Sequence, residues 1–446
     1  MTSRWVAGVL VAIALGGVVW AQAGANGTAA PAGGAVPGAL PGTVKLTLPE
    51  VLQRVLQIHP DIASARAAIV QAAAQATIKE AARWPLINLE AGLAETKTQS
   101  VTGVGIERTS RDASVTLDFT FYQSGLAQQI AQAETLARAQ KLGLPEAQRL
   151  LTFDVKSNYY QILALQQVLR ALLQSVANSV RHQEEVEARI EAGTAPKSDL
   201  LPVLVEVSAN RLQAVQGETN LAVAEAALRA FLQLPAGTAL ELAPAESAVA
   251  PPGDLQELVA QARGNRPDVR QQELNVRAAQ LATQVARIEA GPVVAATATG
   301  DYGYHTGITG DEWQLAVKAS YPLFDAGASR AAATSARASE EIQRQKLLSL
   351  SLQVQQDVET AYVQVVQAVA AVDNAAVATR NAESSLAAAE ARYTEGLAII
   401  IEVTDAQVAL LQAQVAEIQA RFDAATAVAA LEEALGIVSP PEQAGK

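Results

Sequence analysis

The sequence states one pattern twice. His59-Pro60-Asp61-Ile62 recurs as Arg266-Pro267-Asp268-Val269, 207 positions on, and Trp84-Pro85 recurs as Gly291-Pro292 at the same interval. Ser124-Gly125 recurs as Ala326-Gly327 at 202. Asp154-Val155 with Tyr159 recurs as Asp357-Val358 with Tyr362 at 203, and Gly193 recurs as Gly396, also at 203. The interval changes within one stretch, between residues 85 and 125, where an insertion in a loop would put it. A repeat this long is two copies of one architectural unit.

The order of elements within the unit follows from periodicity. A short helix is expected over Leu46 to Ile58, with Thr47 as its N-cap and Pro49-Glu50 in the first turn. A second helix runs from Pro60 to Arg83, and Pro85 stops it. The period then changes from 3.6 to 2. Ile87 to Ala94 and Ala113 to Phe121 alternate apolar with polar or small residues, as strands with one apolar face do. The expected strands lie at about 86–97 and 112–122, with Lys97 to Arg111 as the loop between them.

Ser124-Gly125 opens a helical stretch that reaches Ala192, about 65 residues or ~100 Å at 1.5 Å per residue. Gly143-Leu144-Pro145 is a fault that kinks or breaks it. Gly193 caps the end, and Pro196 starts a last helix that runs to Leu234. The second copy repeats this order, with strands at about 293–304 and 312–323 and a shorter loop, His305 to Asp311. Its long helix spans Gly327 to Glu395 without a counterpart of Pro145, where Leu348 stands instead. The final helix carries Val408, Leu411, Val415, Ile418, Phe422, Ala425 and Ala429, a heptad seam that wants helical partners. Val205, Leu212, Val215 and Ala222 are the matching positions in copy one.

The chain therefore divides into a signal peptide (1–23), a Gly/Ala/Pro-rich leader (24–44), repeat one (45–238), a linker (239–253), repeat two (254–438) and a tail (439–446). Arg4, the apolar run Trp5 to Trp20 and Ala21-Gln22-Ala23 form the export signal. About sixteen apolar residues are short for an uncleaved span of roughly 20. Cleavage removes Arg4 and takes the net charge from −12 to −13. There is no cysteine, hence no disulfide and no lipid-modified cysteine at the new N-terminus. His59, His182 and His305 are far apart without ligand spacing, so no metal or other cofactor is expected. The acidic balance argues against nucleic acid as a partner. After Val19 no apolar run approaches membrane-span length, so any crossing would not use hydrophobic helices.

Four amphipathic strands cannot stand alone, because one open sheet leaves two edges and an apolar face in water. Helices could cover that face in a soluble domain. Helices of ~100 Å, however, must project beyond strands of about ten residues. Lipid is then the natural cover, and alternating strands of 9–11 residues are what an outer-membrane barrel uses. Closure needs about eight strands, so the chain must oligomerise. Two chains give eight strands and three give twelve; the pattern alone does not choose. Trp84, Phe119, Phe121, Tyr122, Tyr302, Tyr304, Trp313 and Tyr321 lie on or beside the strands. Membrane-interface belts look like this, and so do aromatic cross-strand pairs.

The whole mature chain resembles the TolC-type outer-membrane efflux proteins. The resemblance is carried by the tandem repeat, the His/Arg-Pro-Asp-Ile/Val start of each copy, and the helix–strand–strand–long helix–helix order. The turns match as well. Gly193 is followed after five residues by Asp199-Leu200, and Gly396 after five by Glu402-Val403-Thr404-Asp405-Ala406. The resemblance implies a mainly α fold with a β-barrel part: a homotrimer whose three sets of four strands close one 12-stranded outer-membrane β-barrel. Three sets of helices would form a periplasmic tunnel. It also implies a passive exit channel in contact with outer-membrane lipid. The channel would work with a periplasmic adaptor and an inner-membrane pump in tripartite efflux or type I secretion.

Glu402 and Asp405 are three apart near a helix start, so they share one face where the dipole favours carboxylates. By resemblance they match the paired acidic rings of a tunnel entrance, six carboxylates around one constriction. Asp199 and Tyr393 match positions that link neighbouring hairpins and hold the entrance closed, with Gly193 and Gly396 as the tip turns. The sequence departs from that pattern at Ala398, where an arginine can make a further link, and at Pro202, which stands where copy two has Asp405. No Gly-x-Ser-x-Gly, Walker loop or His-Glu-x-x-His is present, which argues against an enzyme. Gly103-Val104-Gly105 lacks the rest of any phosphate motif. A periplasmic coiled-coil adaptor or scaffold remains the rival reading. It would share the export signal and the Ala-rich heptads, but it has no need of paired strands at the same place in both copies.

Overall fold

A computed structural model describes residues 44–99, 105–245, 252–305 and 308–437. The signal peptide, the leader up to residue 43, Gly103-Val104 and the tail at 439–446 lie outside the described residues. The chain divides into a large unit, 45–236 with 242–446, and a small one whose described residues are 44 and 237–241. Within the small unit, Gly237 takes a left-handed φ of 85° before the chain extends.

Copy one comprises α1 (Leu48–Ile58), α2 (Pro60–Ala81), β2 (Leu86–Gln99), β3 (Gly105–Gln123), α3 (Leu126–Lys141), α4 (Gly143–Glu191) and α5 (Leu200–Phe231). Copy two comprises α6 (Leu255–Asn265), α7 (Pro267–Ile288), β5 (Val293–His305), β6 (Ile308–Ser320), α8 (Ala328–Thr394) and α9 (Ile400–Ala434). Thr47 N–H and the Thr47 hydroxyl both donate to Glu50 Oε2 at 2.8 Å, so the carboxylate three residues on caps the start of α1. Two three-residue strands, β1 (Val44–Leu46) and β4 (Leu240–Leu242), lie in segments read from sequence as helix start, leader and linker. Three residues carry no readable period. Buried Tyr159 donates its hydroxyl to the carbonyls of Leu46 (3.2 Å) and Ala243 (2.6 Å), and Ala243 N–H donates to Leu46 at 3.0 Å. That burial pushes the Tyr159 hydroxyl up to about 12.

The main sheet is antiparallel in the order β2-β3-β5-β6. Both hairpin loops are shorter than expected, because polar residues at the strand ends keep pairing. Gln99 pairs with Gly105, and His305 pairs with Ile308. The register accounts for the change of interval between copies. Leu86 pairs with Asp118, 32 positions on, whereas its counterpart Val293 pairs with Ser320, 27 positions on. The second hairpin is five residues shorter, which takes 207 to 202. The return to 203 comes from the long helices. In copy one α3 ends at Lys141 and α4 starts at Gly143, whereas α8 runs 67 residues unbroken. The break lies at Leu142, three residues before Pro145, whose ring and missing N–H cannot continue an interior turn.

Register also fixes the faces. Ile87, Leu89 and Ala91 lie opposite Leu117, Val115 and Ala113; those lie opposite Ala298, Gly300 and Tyr302; and Ala298 and Gly300 lie opposite Leu315 and Trp313. One apolar face thus crosses all four strands, and it is open: Leu93 is 82% and Trp313 81% exposed. The other face is polar, with Thr297 donating to Asp118 at 3.0 Å. The outer edges of β2 and β6 pair with nothing among the described residues.

The helical core is layered from small residues. Val354, Val358, Ala361 and Val365 of α8 bury against Ala424, Ala427 and Leu431 of α9 and Val269 of α7. The seam expected in copy one is not the buried one. Val205, Leu212 and Val215 are 70%, 60% and 59% exposed. Val203, Val207, Asn210, Ala214, Gly217, Ala224 and Leu228 are buried instead. These positions also fall at steps of three, four and seven, so α5 carries two interleaved heptad faces and only one is packed within the chain. Helix α8 contains an 18-residue window of mean hydropathy 1.2, long and apolar enough for a membrane span by composition, contrary to the sequence expectation. Alanine and valine dominate its apolar residues, and it packs along α7 and α9.

Candidate gate at the two hairpin turns

The long helices reverse direction at two turns of one design. At the end of α4, Gly193 N–H donates to Ile190 (3.0 Å) and Thr194 N–H to Arg189 (2.9 Å). At the end of α8, Gly396 N–H donates to Tyr393 (3.1 Å) and Leu397 N–H to Arg392 (2.8 Å). Each is a Schellman motif, which needs a left-handed residue at its centre. Gly193 and Gly396 supply it at φ 73° and 75°. A methyl group at either would touch nothing within 4 Å, so conformation and not space selects glycine.

The two turns meet through a small apolar cluster. Val186 of α4, Val203 of α5 and Ile400 of α9 are buried together, with Ile190 and Tyr393 packed against them. Tyr393 therefore faces copy one. Its ring lies 4.9 Å below the Arg189 guanidinium and 6.5 Å from the His182 ring. Burial raises the Tyr393 hydroxyl above its ordinary value, and the Asp199 carboxylate raises it further, against the opposing charge of Arg189. Tyr393, Asp199 and Arg189 thus share one electrostatic neighbourhood. Asp199 closes a single 3₁₀ turn, Lys197–Asp199, before α5 begins.

Glu402 and Asp405 lie in the first turns of α9, after the extended N-cap Ile399. They are not equivalent. Arg392 Nη1 donates to Glu402 Oε2 at 3.1 Å, and Arg392 also reaches the Leu397 carbonyl at 3.4 Å. This pair is more than 40% exposed on both sides and is worth at most about 1 kcal/mol. Asp405 is exposed and forms no ion pair among the described residues. The chain thus presents one bridged and one free carboxylate here, not two free ones. No group of three or more potential metal ligands occurs among the described residues.

Four residues of this region were not singled out from sequence: Arg189, Arg392, His182 and Glu206. The repeat carried a signal for two of them. Arg189 and Arg392 each stand four residues before the turn glycine, 203 positions apart. Glu206 and His182 have no such mark. Glu206, on α5, is 8% exposed. In the orientation that satisfies both groups, the Gln407 carboxamide of α9 donates to Glu206 Oε1 at 2.6 Å and to Oε2 at 3.3 Å. Burial alone pushes the Glu206 carboxyl from 4.5 up to about 7. His182, also 8% exposed, has its Nε2 buried without a hydrogen-bond partner, and burial lowers its imidazole below the ordinary value.

The aromatic residues form two groups on the sheet. Tyr302, Tyr304 and Trp313 lie toward the β5–β6 hairpin end, while Phe119, Phe121, Tyr122, Trp84 and Tyr321 lie toward the helical end. Phe119 and Phe121 meet edge to face at 4.6 Å. Along β5, Tyr302 and the Tyr122 partner Val294 are eight residues apart, about 27 Å at ~3.4 Å per residue.

A family model described as outer membrane efflux protein matches residues 51–232 and 258–437, one stretch per copy. Several solved outer-membrane channels share the fold. VceC of Vibrio cholerae is 19% identical, with 87% of this chain and 96% of that one covered at a TM-score of 0.75. CmeC of Campylobacter jejuni is 15% identical, with 90% and 87% covered at 0.76. The open state of MtrE from Neisseria gonorrhoeae is 18% identical, with 88% and 90% covered at 0.74. No curated protein sequence matches.

Proposed function

The chain belongs to the outer membrane efflux protein family, and from that premise we propose that it is the passive exit channel of a tripartite efflux or type I secretion system, gated at the two hairpin turns. Three chains close one 12-stranded barrel in outer-membrane lipid, and their helices line a duct through the periplasm. A periplasmic adaptor and an inner-membrane pump deliver the cargo. The observation that carries this reading is the sheet: a continuous, exposed apolar face with two open edges. Lipid covers such a face, and neighbouring copies pair such edges. The unpacked second face of α5 supports the same assembly, because a neighbouring hairpin can bury Val205, Leu212 and Val215. The aromatic residues at the strand ends, Tyr302 and Tyr304 against Tyr122 and Tyr321, are placed as interface residues of an apolar band would be.

At the gate, Tyr393 and Asp199 hold the turns closed, and Asp405 with Glu402 forms the acidic constriction. Three copies bring six carboxylates and three Arg392 guanidinium groups together, a net of three negative charges that attracts cations. Fractionation tests the reading directly. An exit channel stays with the outer membrane and migrates in SDS as a heat-sensitive trimer; recovery of a monomer in the soluble periplasmic fraction would favour the adaptor reading.

A further inference from the structure

Among the charged groups of the gate region, Glu206 alone combines near-complete burial with a neutral partner. It projects from α5 of copy one onto α9 of copy two, and its hydrogen-bond partner there is the Gln407 amide. Beside it lies a cavity of about 310 Å³, lined from α4 by Arg181, His182 and Glu185, from α8 by Glu390, and from α9 by Gln407. A second groove that Glu206 also lines adds Asp405 and Asp423 of α9. Arg181 donates to Asn178 and not to Glu206. Burial lowers the His182 imidazole below its ordinary value, so desolvation disfavours a charge there. The remaining charged neighbours are acidic, so no cation paired with Glu206 offsets the cost of burying it ionised; the Gln407 hydrogen bonds offset only part of that cost. The Gln407 carboxamide serves either protonation state, since it can donate to a carboxylate or accept from an acid. What changes on ionisation is the pull of the adjacent cavity, which offers the charge water.

We propose that Glu206 is a positioning residue of the gate: as a neutral acid it fastens the copy-one hairpin to the copy-two hairpin through Gln407, and proton loss loosens that fastening. The proposal rests on the gate reading above. The sign follows from burial. The carboxyl titrates near 7 when buried against α9 and near 4.5 when hydrated. The fastened state is therefore fully favoured below about 4.5, weakens as pH rises from there through about 7, and is constant above. Low periplasmic pH holds the gate closed, and neutral pH predisposes it to open.

The test is single-channel recording of the full-length protein in planar bilayers between pH 5 and pH 8. Wild type is expected to show open probability rising on the order of tenfold across this range. Glu206→Gln keeps the hydrogen bond without the charge, and is expected to stay near the wild-type pH 5 level throughout. Gln407→Leu removes the partner and is expected to raise open probability at pH 5. A Glu206→Gln profile that still rises like wild type overturns the proposal, as does a profile abolished by His182→Gln with Glu206 intact. Glu402→Ala/Asp405→Ala separates the acidic constriction from the Glu206 fastening. Loss of cation preference with an unchanged pH profile supports both, whereas a chain that never conducts overturns both.

Discussion

The two copies grip their long helices differently. At the start of α7, Arg266 forms a bidentate pair with Asp268 (2.7 and 3.1 Å) and reaches across to Asp357 of α8 at 2.8 Å. In copy one the matching residues are His59, Asp61 and Asp154. There the imidazole Nδ1 accepts the Asp61 N–H at 3.3 Å, a local helix cap, and the ring leans on Phe231 at 5.9 Å. Copy two thus carries a charged clasp between helix start and long helix, and copy one a local cap whose Nδ1 also lies 3.5 Å from the Asp61 carboxylate. Copy one is tied down elsewhere. Arg149 on α4, 3% exposed, pairs with Glu146 and with both the carboxylate and the carbonyl of Glu433 at the end of α9. Duplication supplied the frame, and the charges that lock it were then distributed unequally.

Breaking either buried guanidinium network should have the largest effect. Arg266→Ala leaves Asp268 and Asp357 without their partner and should cost about 3 kcal/mol, as should Arg149→Ala. His59→Ala should cost less than about 1 kcal/mol, since it removes only a cap. Urea unfolding of detergent-solubilised protein checks the contrast; equal losses at positions 59 and 266 would erase it. A smaller, matched effect is expected at the turns. Gly193→Ala and Gly396→Ala should each cost about 1 kcal/mol for the left-handed backbone alone. Near-equal values would show that the two turns are one device used twice.

Acid should act on the two helix starts in opposite directions. Burial alone would raise the Asp268 carboxyl, but its hydrogen bonds and charge pairing with Arg266 outweigh burial and hold it below the ordinary aspartate value. Its stabilisation is present above that value and is lost as pH falls through the lowered one. Burial and then the neighbouring Asp61 raise the Asp154 carboxyl, against a smaller opposing pull from His59, so its contribution is complete below the ordinary value and is lost as pH rises through the raised one. Hydrogen exchange between pH 6 and pH 3 should show α7 losing protection while α2 and the adjoining part of α4 do not. Parallel loss in both copies would contradict the asymmetry.

Much of this was legible in the sequence where a period or an interval carried it. The interval of 207 falling to 202 placed a five-residue difference between the hairpins, and Gly143-Leu144-Pro145 marked the break seen at Leu142. Alternation located all four strands and their apolar side. Other features left no such trace. The strands β1 and β4 are too short for a period. Two heptad faces overlap on α5, so pattern alone could not say which one its own chain buries. The pairing of Arg392 with Glu402 depends on the turn geometry and is invisible to spacing along one helix. Glu206 reads as an ordinary helical glutamate until α9 is laid against it.

If duplication supplied the conduit and divergence between the copies its proposed gate, Asp405 should carry most of the pore's charge preference. Reversal potentials in a KCl gradient across a planar bilayer test this most directly. The pore should prefer cations, and Asp405→Ala should reduce that preference more than Glu402→Ala, because Arg392 already offsets Glu402; the double substitution should reduce it furthest. Cation preference unchanged in the double variant would contradict it.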